Sequence, residues 1–86
     1  MSAQSRISIT PNPPEAGKTA KVCYDFIGSG ITSTVLDVEF TPPTGSGSYP
    51  VSIGNPCVDV PIPDGAEFIL ITDQDGVSEP LDRVVV

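Results

Sequence analysis

From residue 19 to residue 86 the chain is a succession of short β-branched segments that alternate apolar and polar residues. Pro, Gly, Asn or Asp cuts each one off after about 8 to 12 residues, and no stretch carries a helical period. That pattern predicts an all-β fold, a small antiparallel β-sandwich. Length agrees, because a chain of 86 residues buries only roughly 60% of its unfolded surface and cannot divide that between two cores. Residues 1–86 are therefore read as a single domain.

Alternation locates the strands. In residues 6–10, Ile7 and Ile9 share one side, and Pro11, Asn12, Pro13 and Pro14 then break pairing in a way that suits an edge strand. Residues 18–27 turn Ala20, Val22, Tyr24 and Phe26 inward, and residues 32–40 set Leu36, Val38 and Phe40 against Asp37 and Glu39. Residues 41–48, rich in Pro, Gly and Ser, form a loop. Tyr49, Val51 and Ile53 then point inward, followed by Val58, Val60 and Ile62 opposite Cys57, Asp59 and Pro61. Residues 66–72 carry Phe68 and Leu70 on one face and Ile69 and Ile71 on the other, as a central strand covered on both sides would. Residues 81–86 close the sheet. The count is seven strands, or eight if the prolines divide the first.

Charge excludes one class of partner. Eleven acids against four bases give a net charge of −7, and binding to nucleic acid needs a basic stripe that this chain cannot assemble. Residues 1–24 sum to +2 through Arg6, Lys18 and Lys21 against Glu15, whereas residues 25–86 sum to −9. Two readings follow: a solvated acidic surface that keeps the protein soluble, or a basic N-terminal segment that docks on an acidic surface such as a neighbouring copy. The start MSAQSRISIT has one Arg and no apolar run, so neither a signal peptide nor membrane insertion is expected. The chain either stays in the cytoplasm or leaves by another route such as lysis, unless a leader or neighbouring domains have been removed.

Two stretches carry a family resemblance. ITPNPPEAGKTAKVCYDF is similar to the Pro-rich first strand, Ala-Gly turn and second strand of bacterial and phage immunoglobulin-like modules. The run Asp64, Gly65, Ala66, Glu67, Phe68, Ile69, Leu70 is similar to the D-x-A-x-Y-x-C start of strand F, with Phe68 at the tyrosine position and Leu70 at the cysteine position. The chain thus resembles an immunoglobulin-like or fibronectin type III-like module over nearly its whole length, which implies a Greek-key sandwich. It departs from the antibody pattern in having no tryptophan, no tyrosine hydroxyl at Phe68 and no thiol at Leu70.

In that fold the second and fifth strands are neighbours, and parity puts Cys23 and Cys57 on their outer faces. A cross-strand disulfide is one outcome; two unpaired thiols in a reducing cytoplasm are the other. Two cysteines without histidine fall short of a zinc site. The run Asp73, Gln74, Asp75, Gly76, Val77, Ser78, Glu79 shares oxygen spacing with part of an EF-hand loop. Glu79 comes too early, however, and Pro80 follows, so an ordinary polar hairpin loop is the reading adopted. No cofactor or metal is expected.

Nor is catalysis expected, since without histidine and with two lysines no activated nucleophile is visible. Ile69, Ile71, Val35 and Val84 are expected to form an outward apolar patch, covered by the loop at 41–48 or used for contact. With Arg6, Lys18 and Lys21 they make up the expected interface. The function expected is structural: a phage capsid decoration or accessory virion protein, bound to a shell or host surface, with capsid, surface protein or neighbouring copies as partners in a large symmetric assembly. Its place would be the virion surface, or outside the cell after lysis. The alternative is an extracellular adhesion or carbohydrate-binding module from a larger secreted protein.

Overall fold

A computed structural model describes residues 5–86; residues 1–4, part of the stretch read for a leader, lie outside it. Seven strands form: β1 Ile7–Thr10, β2 Thr19–Tyr24, β3 Ser33–Thr41, β4 Gly47–Ser52, β5 Cys57–Pro61, β6 Phe68–Asp73 and β7 Leu81–Val85. They pair antiparallel in two sheets, one ordered β1-β2-β5 and the other β4-β3-β6-β7. Pro11 to Pro14 end β1 without dividing it, so the count is seven and not eight.

Both sheets turn apolar residues toward one cluster. Ile7, Ile9, Ala20, Val22 and Val60 come from the three-stranded sheet, and Leu36, Val38, Phe40 and Val51 from the four-stranded one. Alternation groups these residues on one face of each strand, with Ala20, Val22 and Val51 expected inward, and the burial of β1, β2 and β3 follows it residue by residue.

In β6 the outward placement expected for Ile69 and Ile71 is overturned. Both are 0% exposed. Register is the cause: Ile69 lies opposite Phe40 and Ile71 opposite Val38, and directly paired residues share a face. Val84, opposite Ile69, likewise turns toward the core, and only Val35 among the expected patch stays on the outer face. Phe68 and Leu70 point outward, so these two positions do not hold the orientation that the strand F resemblance implies. Ile53 also departs from expectation, because β4 ends at Ser52 and leaves it 58% exposed in the following turn.

Strand β7 carries an irregularity. Leu81 pairs with Ile71 and Val84 with Ile69, so Asp82 and Arg83 together face Leu70 alone, as in a β-bulge. Arg83 takes the left-handed conformation there, at φ 54°, and its guanidinium lies 5.1 Å from the centre of the Phe68 ring.

Cys23 and Cys57 are bridged, with Cα atoms 4.0 Å apart. Tyr24 N donates to Pro56 O at 2.9 Å, which makes the adjacent pair hydrogen-bonded and places the cysteines at the closer, non-hydrogen-bonded site.

Two outcomes follow for stability. Reducing the bridge frees a loop of 34 residues and should lower the unfolding free energy by about 3 to 4 kcal/mol, measured by urea titration with and without reductant. Thr34 Oγ1 is buried with no hydrogen-bond partner among the described residues, so Thr34→Val should raise stability by about 1 kcal/mol in the same titration.

Candidate binding surface at one end of the sheets

Antiparallel pairing gathers three connections at one end: residues 25–32 between β2 and β3, 53–56 between β4 and β5, and 74–80 between β6 and β7. The start of β1 joins them.

Asp73, the last residue of β6, organises this end. It continues the inward parity of Ile69 and Ile71, faces Leu36 across the ladder and is buried. A carboxylate there needs donors, because burying it without them costs several kcal/mol, on the order of the penalties for unpaired ions. Three donors reach it. The Tyr24 hydroxyl donates to Oδ2 at 2.7 Å, Ser78 N to Oδ2 at 2.8 Å and Val77 N to Oδ1 at 3.1 Å. The first of these bonds joins the two sheets; the other two fold the loop at 74–80 back over the sheet end. Burial, then the hydrogen bond and the negative charge of Asp73, push the Tyr24 hydroxyl up to about 12 from its ordinary 10.0. Its ring packs on Phe26, centroids 4.6 Å apart.

The same loop fixes the start of β1, since Ser78 Oγ accepts from Arg6 N at 2.8 Å. Arg6 then reaches into the loop between β2 and β3. Its guanidinium donates to the carbonyls of Ile27 at 2.6 Å, Asp25 at 3.2 Å and Gly28 at 3.3 Å. Gly28 sits at φ 72°, a turn conformation that favours glycine. Asp25 Oδ1 accepts from Ile27 N at 2.9 Å, and Ser29 Oγ donates to Phe26 O at 2.7 Å. The turn at 53–56 is tied in as well: Ile53 N donates to Thr32 O at 2.9 Å.

What this network holds out is apolar. Ile27 is 86% exposed and Ile53 58%, and with Phe26, Asp25 and Pro56 they line a shallow depression of about 330 Å³. A separate hollow of about 560 Å³ lies at the end of β3 and β4, with Asn55 and Asp75 in its wall. Val77, 39% exposed, belongs to the third loop.

The residues expected at an interface do not converge. Ile69, Ile71 and Val84 face the core, and Val35 lies half-buried on the outer face opposite Pro50. Lys18 stands at the opposite end, paired with Glu15 at 3.3 Å, a surface contact worth little. Lys21 is exposed on β2 opposite Asp59. Only Arg6 reaches the loop end, where backbone carbonyls occupy its guanidinium. On the outer face Asp37 accepts from Ser48 Oγ at 2.7 Å and Gln74 Nε2 at 3.0 Å, which holds its carboxyl below the ordinary value.

Sequence reasoning missed Asp73 and Tyr24 as a pair. The signal was parity: extending β6 by one residue carries Asp73 onto the core side, where a carboxylate demands a partner. Comparison with protein-family models, curated proteins and solved structures finds no match for this chain.

Tyr24 makes the fold sensitive to alkali. The folded state keeps this proton more tightly than the unfolded chain, so its contribution is complete below pH 10 and is lost as pH rises toward 12. Tyrosinate absorbance should show a late component near pH 12, or a sudden one at unfolding, that Tyr24→Phe removes.

Proposed function

We propose that this chain is a non-catalytic structural or interaction module that attaches to a protein surface. In its most concrete form it decorates a phage shell or serves as an accessory virion protein facing a host. One observation carries the reading: Ile27, Ile53 and Val77 are large, exposed and apolar, and they sit on the three loops of the same end. The strand order supports the immunoglobulin-like, Greek-key component, because it puts the second strand beside the fifth and the third beside the sixth, as that resemblance implies. Chemistry supports the non-catalytic component. The chain has no histidine, and the oxygens of Asp73, the buried carboxylate among the described residues, are engaged by Tyr24, Val77 and Ser78 and so not free to act as a base.

The disulfide favours a second reading, an extracellular adhesion module from a larger secreted protein, since such bridges persist where the medium is oxidising. Its carbohydrate-binding form has less support. Tyr24 and Phe40 are buried, and Phe26, Tyr49 and Phe68 are half-buried, which leaves no open aromatic platform for a sugar ring. Neighbouring genes separate the two: capsid and tail genes favour the first, an upstream leader and further domains the second.

Imaging material from the native source tests the proposal. Copies arrayed on a particle or fixed to a larger surface are expected; a lone monomer in every fraction would overturn it.

A further inference from the structure

We infer that the loop end is the docking face, and that it takes a protein surface whose apolar centre is edged by lysine or arginine. This rests on reading the chain as an attachment module and names the partner's chemistry. An isoleucine exposed to 86% is ordinarily held by nothing; here three guanidinium hydrogen bonds, an aspartate acceptor and a serine fix the backbone beneath Ile27. A loop already ordered before contact loses little conformational freedom on binding, so the apolar gain is kept.

Charge selects the occupant. Asp25 lies in the wall of the apolar hollow together with Ile27 and Ile53, and Asp75 lies exposed on the loop at 74–80 of the same end. Glu79 lies exposed on the same loop as Asp75. The one cation at this end among the described residues, Arg6, spends its donors on carbonyls. A second copy docked face to face would oppose two acidic rims and two net charges of −7, and anionic lipid would be repelled in the same way. A cationic rim around an apolar centre is complementary to this surface.

The full chain, labelled with nitrogen-15, is titrated with three synthetic peptides. One has a Leu-Phe-Leu centre flanked by lysines, one the same centre flanked by glutamates, and one a serine centre flanked by lysines. The first should shift the amides of residues 25–28, 53–55 and 75–77, and raising salt from about 50 to about 500 mM should weaken it by about tenfold. Ile27→Ser and Ile53→Ser should each weaken it by about fivefold or more. Because Ile27 packs on so little, Ile27→Ser should leave the urea midpoint unchanged, which separates lost binding from lost folding. Equal shifts from either control peptide, shifts confined to other residues, or none with any peptide would overturn the inference. Self-association abolished by Ile27→Ser, or binding to phosphatidylcholine vesicles through these residues, would overturn it too. An Ile27→Ser variant that stays on the native particle would remove this face and leave attachment standing, whereas a lone monomer would remove attachment itself.

Discussion

The buried carboxylate of Asp73 is the constraint from which the rest of this molecule can be traced. A negative charge at a core position is tolerated only where donors surround it, and those donors come from a tyrosine on the opposite sheet and two amides of the next loop. Each has a structural effect. Tyr24 locks the two sheets together at this end, and the amides of Val77 and Ser78 pull the loop inward. Ser78, thus placed, receives the amide of Arg6, and Arg6 sets the loop that bears Ile27. The path from core to surface is a continuous chain of polar contacts. Such networks are worth more together than their members are singly.

The strands were legible because burial in β1, β2 and β3 follows strict alternation, and the cysteines because parity on neighbouring strands puts both on one outer face. Strand β6 was not legible from pattern alone. Phe68, Ile69, Leu70 and Ile71 are apolar on both sides, so the period names no inner face, and the partner register decides it. The similarity to strand F suggested the wrong side. Asp73 escaped because an aspartate after an apolar run looks like the start of a loop. Arg6 was expected at an interface, but its part in holding the loop escaped, because its partners are main-chain carbonyls, which leave no mark in a sequence. Ile53 was placed inward by extending β4 one residue past its end, and Ile27 was carried within β2 by extending that strand three residues past Tyr24. An error of that size at a strand end is enough to hide a residue on a loop tip.

The outer face of the four-stranded sheet illustrates why exposed apolar groups do not by themselves make a surface sticky. Val35 sits by Pro50, Leu70 by Glu39, and Phe68 beneath Arg83, with Asp37 and its two partners between them. Charged and polar groups separate these residues from one another, and Val85, exposed opposite Phe68, stands at the margin of the face. At the loop end the arrangement differs: Ile27 and Ile53 line one hollow with Phe26 and Pro56, and Asp25 stands in its wall.

The paired Asp82 and Arg83 opposite Leu70 bear on how this protein behaves when crowded. Strand β7 is an open margin, and a regular margin would offer evenly spaced amides and carbonyls to a stranger's backbone. With two residues occupying the space of one, that spacing is broken partway along, and an invading strand would lose step after the first few bonds. Along this margin, then, two copies brought side by side cannot zip together over the full length of the strand.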